Sequence, residues 1–212
     1  MLDLAQLPER LLAVALILLI GFPVHECAHA WAAYVQGDAT AKLFGRLTLN
    51  PLVHFDRWGG GMLIISAFAG WVMGWAKPTP YNAANLRHRR NGEVLVALAG
   101  PVSNLIMAAM AAVLFRAIVA IAPAGANWAV PVLTTIFYFT FYMVGLGFIN
   151  LIPIPPFDGS SILMRFLSPR QAWQVRTFTA QYGMMIMLAI LILASPVISA
   201  VVNSVTKVLL VG

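Results

Sequence analysis

Long apolar stretches alternate with short polar segments along the chain. Four of these stretches reach the roughly 20 residues that a helix needs to cross a hydrocarbon core about 30 Å thick. They cover about residues 11–34, 94–121, 130–154 and 182–210. Backbone polar groups in lipid must be satisfied within the segment itself, so each stretch is expected to be a helix. The pattern therefore predicts an all-α polytopic membrane protein with about four transmembrane helices, in one integral-membrane domain over residues 1–212.

A fifth apolar stretch, residues 62–76, is shorter than the other four. It follows three consecutive glycines and ends beside Lys77-Pro78. About 15 residues is too short for a comfortable crossing and is typical of a re-entrant or interfacial segment. Basic residues on both sides of the stretch favour a segment that dips into the membrane and returns. A complete crossing is the alternative.

Charged residues are scarce and lie mainly between the apolar stretches. They make up 9% of the 212 residues, against 61% hydrophobic residues, whereas soluble domains carry roughly 25% charged residues. Basic residues concentrate in residues 37–58, 77–92 and 157–181, and the positive-inside rule assigns such segments to the cytoplasm. We therefore expect a multi-pass protein of the cell membrane with both termini outside. The net charge of +6 comes without a basic stripe interleaved with aromatic residues, so nucleic acid is not an expected partner.

Residues capable of chemistry cluster in the first apolar stretch, which contains His25-Glu26-Cys27-Ala28-His29. Two histidines at positions i and i+4 lie on one face of a helix, about 5–6 Å apart at Cβ, so both imidazoles can reach one zinc ion. Glu26 then lies beside the first ligand, where it can act as general base on the water that zinc activates. Ionisable groups inside an apolar helix are costly and therefore normally serve function. A polar cluster that only holds helices together is the alternative.

A catalytic zinc site needs a third protein ligand and an open position for water. Asp158 is the acidic residue that best meets this need, because it follows an apolar helix that runs towards the same side as His25 and His29. Three prolines in residues 150–157 end that helix and leave extended backbone, which membranes tolerate where it lines a polar cavity. A plain turn at Asp158-Gly159 is the alternative. We expect one Zn²⁺ per chain, held by these two histidines and this aspartate.

Three motifs resemble the site-2 protease family of intramembrane zinc metalloproteases, in its compact prokaryotic branch. They are His25-Glu26-Cys27-Ala28-His29, then Ala99-Gly100-Pro101-Val102-Ser103-Asn104, and finally Asn150-Leu151-Ile152-Pro153-Ile154-Pro155-Pro156-Phe157-Asp158-Gly159. Residues 49–56 and 75–80 also look like this branch, and the resemblance covers about residues 11–165. Phe157 stands where a leucine is common in the family.

The resemblance implies a zinc metalloendopeptidase that hydrolyses peptide bonds in transmembrane segments of other proteins. It implies zinc bound by His25, His29 and Asp158, with Glu26 as general base. It also implies that Asn150 lies beside the zinc ion, where its side chain can help to polarise the substrate carbonyl. The expected partners are a transmembrane protein or peptide substrate and the lipid bilayer.

Two further polar residues have more than one interpretation. Asn104, in the second long stretch, either hydrogen-bonds near the active site or binds backbone between packed helices. His54, which precedes the re-entrant segment, either orders that loop or approaches the metal. A loop histidine is more often structural than a ligand.

Two other functions compete with proteolysis. Intramembrane histidines and a carboxylate could form the transit site of a metal or ion transporter. Transporters, however, need a pathway to both faces and commonly carry inverted repeats, which are not apparent in this sequence. A catalytically inactive membrane scaffold that binds helices is the second alternative. The intact ligand set argues against a scaffold, because the cost of burying these groups would then be unopposed by function.

Overall fold

The structure is a computed structural model that describes residues 4–68, 74–123 and 125–212. The described residues form helices and connecting loops, with no β-strand among them. In chain order the helices are α1 Leu7–Leu16, α2 Phe22–Val35, α3 Thr40–Leu43, α4 Pro51–His54, α5 Arg57–Phe68, α6 Arg89–Ile121, α7 Ala129–Asn150, α8 Ser160–Phe166, α9 Pro169–Leu193 and α10 Ser195–Val211. Four helical stretches are long and apolar enough to cross a membrane. The predicted all-α polytopic membrane fold is therefore confirmed.

The first long helix carries the histidine motif. α1 and α2 form one continuous helix, Leu7–Val35, joined by a π-helical turn at Ile17–Gly21. At 29 residues it is about 44 Å long, which is enough to cross a bilayer core. The helix ends at Val35. Gln36 caps it, and Gly37 follows with φ +106°, a left-handed conformation that glycine adopts without steric cost. This stop places the motif within the last three turns or so of the helix.

Two antiparallel helices, α6 and α7, form the centre of the bundle, and α2 packs against α6. Gly147 of α7 lets the two backbones approach closely, since a Cβ there would lie 2.9 Å from the Leu105 side chain and 3.4 Å from the Pro101 carbonyl oxygen. Faces that point away from the bundle keep large apolar side chains. Met110 and Val113 of α6 are 66% and 69% exposed. Such surfaces suit hydrocarbon rather than water.

The predicted re-entrant segment, residues 62–76, begins inside α5, and its residues 69–73 lie outside the described part of the chain. The described residues on its two sides meet. The backbone N–H of Lys77 donates to the His54 carbonyl oxygen at 2.8 Å. Residues that precede and follow this region are therefore in contact, and the re-entrant course of the segment stays a prediction.

The predicted fourth span, residues 182–210, is divided between two helices. α9 ends at Leu193, and α10 begins at Ser195 with Pro196 in its first turn. Proline has no backbone N–H to continue a helical ladder and is preferred at the start of a helix, so the break falls beside it. α9 is the fourth helix that is long and apolar enough to span a membrane, whereas α10 is the one that packs against α6 and α7. The single continuous helix expected from the apolar pattern is therefore wrong.

The first and last parts of the described chain lie at the same end of the bundle. The Tyr138 hydroxyl, in the first half of α7, donates to Gln6 Oε1 at 2.5 Å. Arg116, near the end of α6, donates through Nε to the Leu209 carbonyl oxygen at 2.8 Å. A cation at the end of α10 also suits the negative end of its helix dipole. Both ends of the described chain thus lie near the α6–α7 connection, opposite to the end where α2 terminates.

Candidate metal centre

α2 places two imidazoles side by side. His25 and His29 are separated by one helical turn and are 7% and 8% exposed. Their Nε2 atoms are 3.1 Å apart, and the rings meet edge to face with centroids 4.7 Å apart. Both Nε2 atoms therefore point to the same small volume, as the i, i+4 spacing predicts.

The loop after α7 brings a carboxylate to that volume. α7 ends at Asn150, and the backbone N–H of Gly159 donates to the Asn150 carbonyl oxygen at 2.6 Å, which closes the proline-rich loop between them. Asp158 Oδ2 lies 3.2 Å from His25 Nε2 and 3.4 Å from His29 Nε2. The structure thus brings together the three residues predicted as metal ligands.

Three donor atoms at these separations fit a tetrahedral zinc ion. Zn–N and Zn–O bonds are about 2.0–2.1 Å long, so neighbouring donors of a tetrahedral site lie about 3.3 Å apart. The observed separations of 3.1, 3.2 and 3.4 Å match that value. In the described part of the chain, these three side chains form a group whose donor atoms all lie within 4.8 Å of one another. Two imidazoles and one carboxylate leave a fourth position open, as catalytic zinc sites do.

Hydrogen bonding and charge prepare these donors for a cation. Nδ1 of His29 lies 2.7 Å from the Val96 carbonyl oxygen. A carbonyl can only accept, so Nδ1 carries the proton and Nε2 keeps its lone pair for a metal. Burial alone would raise the pKa of the Asp158 carboxyl. Without a metal, however, a proton on Nε2 lets His25 and His29 hydrogen-bond to Asp158 and attract it electrostatically, which holds that pKa below its ordinary value. Asp158 is therefore ionised at neutral pH, which is the form that binds a metal.

A glycine gives the two imidazoles their space. A Cβ added to Gly100 would overlap the His29 ring and lie 2.6 Å from His25 Cε1. The backbone of α6 at Gly100 therefore lies directly against the two imidazole rings, a close approach that only glycine allows. A larger residue would displace either the imidazoles or the helix.

Glu26 lies beside the first donor and is held by Thr79, a residue for which the sequence predicts no role. Its carboxylate oxygen Oε2 accepts hydrogen bonds from the Thr79 backbone N–H at 2.8 Å and from the Thr79 hydroxyl at 2.7 Å. The same hydroxyl lies 3.1 Å from the Glu26 carbonyl oxygen. The one signal available in the sequence is that Thr79 stands between Pro78 and Pro80, which favours extended backbone there.

A cavity of about 220 Å³ opens beside these groups. It is lined by Glu26 and His29 from α2, by Thr79 and Tyr81 from the loop before α6, and by Asp158. Burial raises the pKa of the Tyr81 hydroxyl, which therefore stays protonated and able to donate a hydrogen bond. A second cavity of about 380 Å³ shares Tyr81 with the first and extends towards α9. Together they offer room for an extended peptide beside the donor atoms.

Two predicted site residues, Asn150 and Asn104, form no hydrogen bond to the metal-donor atoms in the described part of the chain. Asn150 contributes its backbone carbonyl to the Asp158 loop, and its side chain is not among the described residues that line the 220 Å³ cavity. Asn104 is 2% exposed and lies one turn beyond Gly100 on α6. Its Oδ1 accepts no hydrogen bond from the described residues, so the predicted bond to backbone between helices is not formed through that oxygen.

His54 lies in the loop that precedes α5 and is 1% exposed. Its Nε2 lies 2.8 Å from the Thr48 carbonyl oxygen, so Nε2 donates to it, and the His54 carbonyl accepts from Lys77. These contacts agree with a histidine that orders the loop. Among the described residues, the group of possible metal ligands does not include it.

Comparison with known proteins identifies a family of peptidases. Peptidase family M50 matches the chain over residues 13–119 and 115–194. The chain is 34% identical over 183 residues to a Bacillus subtilis (strain 168) protein named "Putative zinc metalloprotease YwhC", a match that covers 84% of this chain and 80% of the other. It is 31% identical over 176 residues to "Putative zinc metalloprotease Rip2" of Mycolicibacterium smegmatis, covering 82% of this chain and 64% of that longer protein.

No solved structure matches the chain. The family match nevertheless extends over most of the sequence, and both relatives carry the name of a zinc metalloprotease. The chain therefore belongs to peptidase family M50, the site-2 protease family, and is a zinc metalloprotease with helices able to span a membrane.

Proposed function

We propose that this protein hydrolyses peptide bonds within transmembrane segments of other proteins, with residues 1–212 acting as a single integral-membrane protease domain. The observation that supports this most directly is the convergence of His25, His29 and Asp158 inside a bundle of apolar helices, with Glu26 beside them. Each of the first three residues would supply one donor atom to zinc. When bound there, zinc supplies a Lewis acid that polarises a carbonyl and lowers the pKa of water.

Glu26 moves the proton in this reaction. Both hydrogen bonds from Thr79 reach Oε2, so Oε1 is the carboxylate oxygen available to take a proton from the attacking water. The water oxygen forms a bond to the scissile carbonyl carbon, the C–N bond breaks, and Glu26 returns the proton to the leaving amine nitrogen. One water is consumed for each peptide bond.

Asn150 assists through its side-chain amide, which donates a hydrogen bond to the substrate carbonyl oxygen where negative charge develops. Its place at the end of α7, bonded through its backbone to the loop of Asp158, supports this role. Because the loop is held by the Asn150 backbone, Asn150→Ala should retain zinc while kcat falls about 100-fold. An unchanged kcat in that variant contradicts the role.

The substrate is a transmembrane segment that unwinds before cleavage, because hydrogen bonds within a helix occupy its carbonyl groups. An extended chain fits beside Glu26 and Asp158, where the two cavities meet at Tyr81. The bilayer delivers such a segment laterally, since the outward faces of the bundle are apolar. Membrane proteins or peptides are therefore the proposed substrate class.

The site is proposed to face the cytoplasm from within the cell membrane. The basic segments 37–58, 77–92 and 157–181 adjoin the end of α2, the start of α6 and the loop of Asp158. The positive-inside rule assigns this end of the bundle to the cytoplasm. Both chain ends, which lie near the α6–α7 connection, are then outside.

Purified protein in sealed lipid vesicles tests the proposal. The substrates are quenched-fluorescent peptides with apolar segments about 20 residues long and central glycines that weaken the helix. Glu26→Gln keeps the size of the side chain and removes the base. We expect this variant to retain zinc and to lose cleavage by at least about 100-fold. Cleavage by Glu26→Gln at the wild-type rate contradicts the assignment of Glu26.

The same vesicles distinguish the competing functions. Zinc flux across the membrane without peptide cleavage would identify a transporter. A wild-type protein that neither binds zinc nor cleaves any of the peptides would identify a scaffold. Zinc-dependent cleavage without flux is the result that the proposal predicts.

A further inference from the structure

Thr79 connects Glu26 to a part of the chain that lies 53 positions away. Thr79 contacts both the side chain and the backbone of Glu26. Its N–H and hydroxyl donate to the carboxylate, and the hydroxyl also lies near the backbone carbonyl. Glu26 itself is 8% exposed. In the described part of the chain, Thr79 donates two hydrogen bonds to its carboxylate.

The sequence around Thr79 suits it to this contact. Pro78 and Pro80 have no backbone N–H, so Thr79 supplies the only backbone donor of the three residues. A residue that precedes proline is confined to extended backbone. Thr79 therefore presents its N–H and its hydroxyl from a stiff segment that forms no helix.

Hydrogen bonds on both sides of Thr79 fix the segment that contains it. Before it, the Lys77 N–H donates to the His54 carbonyl oxygen at 2.8 Å. After it, the Asn82 N–H donates at 2.7 Å to Asp38, a carboxylate that is 0% exposed. These anchors fix the position of Thr79 relative to α2 independently of its contact with Glu26.

A carboxylate that moves protons must be held, because displacement of a catalytic group by about 1 Å can cost 100-fold in rate. Glutamate reaches its target through several rotatable bonds, so an unheld side chain would spend much of its time away from the water. Hydrogen bonds to Oε2 restrict this freedom and leave Oε1 available to take a proton, on a side chain that lines the cavity. Neither bond involves a metal-donor atom, and the Thr79 hydroxyl is engaged by Glu26 although Thr79 lines the cavity.

We propose that Thr79 is a positioning residue for the reaction: it holds the Glu26 carboxylate in the orientation that proton transfer requires. This inference rests on the proposed function of Glu26 as the base. It predicts that loss of the Thr79 hydroxyl slows turnover without weakening zinc binding or substrate binding. The backbone N–H remains in such a variant, so the effect is partial.

Three variants test the proposal in the vesicle assay with the quenched-fluorescent peptides. Thr79→Val removes the hydroxyl at nearly constant volume, and Thr79→Ser restores it. Thr135→Val is the matched control, because it removes a buried hydroxyl that, among the described residues, donates within α7 to the Pro131 carbonyl. For Thr79→Val we expect kcat to fall about 10- to 100-fold, with KM and zinc content as in wild type. Thr79→Ser should recover most of the loss, and Thr135→Val should show none.

Several results would overturn the role of Thr79. One is a kcat for Thr79→Val equal to that of Thr135→Val; another is a Thr79→Ser variant as slow as Thr79→Val. Loss of zinc in Thr79→Val would show a structural role instead. Hydrogen exchange of the Thr79 amide tests the contact without the Thr79→Val variant. The exchange should be slow in wild type and faster in Glu26→Ala. Equal exchange rates in the two proteins would also overturn the proposal.

Glu26→Gln, measured in parallel, separates this inference from the function on which it rests. An active Glu26→Gln contradicts the proposed function itself. An inactive Glu26→Gln together with a fully active Thr79→Val contradicts only the role of Thr79.

Discussion

His25 Nε2 and Asp158 Oδ2 lie 3.2 Å apart, although α6 and α7 separate the two residues in the chain. The two residues can meet only when α2 and α7 have both packed against α6. An ion held at this point would therefore bind the folded bundle and not the unfolded chain. Ligands with that preference stabilise the native state by an amount that grows with the logarithm of the ligand concentration above its Kd.

Removal of zinc should therefore destabilise the protein. Addition of EDTA is expected to lower the unfolding temperature of the wild-type protein in detergent, because a saturating ligand contributes about 2.7 kcal/mol at 100 times its Kd. The Asp158→Ala variant, which lacks one donor, should show little response to EDTA. Differential scanning fluorimetry measures both, and an equal response of the two proteins would contradict a zinc site at Asp158.

Gly100 should be intolerant of even the smallest side chain. A Cβ in Gly100→Ala would overlap the His29 ring, so we expect zinc affinity to fall about 10- to 100-fold and cleavage to fall with it. Gly145→Ala is the control, because its Cβ would lie 3.9 Å from the nearest side-chain atom, on Val202. Zinc titrations of the two variants check this. Equal zinc affinities of the two variants would show that close packing of α6 against the imidazoles does not control zinc binding.

The long helices could be predicted because hydropathy and length act locally. The break before α10 could not be predicted in this way, because two prolines in similar apolar sequence have different effects on their helices. Pro101 lies inside α6, which continues through it, whereas Pro196 begins a new helix. Both stand in apolar sequence, and which of them ends a helix depends on packing against neighbouring helices, which a hydropathy window does not contain.

The candidate site was predictable where its geometry repeats a helical period or follows from topology. The spacing of His25 and His29 fixes a shared face, and the direction of α7 indicates that Asp158 lies at the same depth. The contact between Thr79 and Glu26 has no such signature. A loop residue meets a helix residue through tertiary packing, and only the flanking prolines mark it in the sequence.

Acid should weaken the anchor of the Thr79 segment. The Asp38 carboxylate accepts hydrogen bonds from Thr40, Asn82 and Asn85. Burial alone would raise the pKa of Asp38, but these hydrogen bonds lower it below the ordinary 3.8. A lowered pKa contributes stability that is fully present above the unfolded-state pKa and is lost as the pH falls through the lower, folded-state value.

The comparison of wild type with Asp38→Asn isolates this contribution. We expect a higher unfolding temperature for wild type at neutral pH and a difference that shrinks as the pH falls below about 4. Titration of the histidines and other carboxylates affects both proteins and cancels in the difference. A difference that stays constant down to about pH 3 would show that the ionised Asp38 carboxylate contributes nothing to stability.

Metal analysis of purified protein tests the central claim most directly. Wild type and Asp158→Ala are dialysed against the same low concentration of free zinc, with Glu93→Ala as the control for loss of a nearby carboxylate that pairs instead with Arg176 at 3.7 Å. We predict about one zinc per chain in wild type and in Glu93→Ala, and almost none in Asp158→Ala. Equal zinc content in all three proteins, bound at the same affinity, would contradict a centre built from His25, His29 and Asp158.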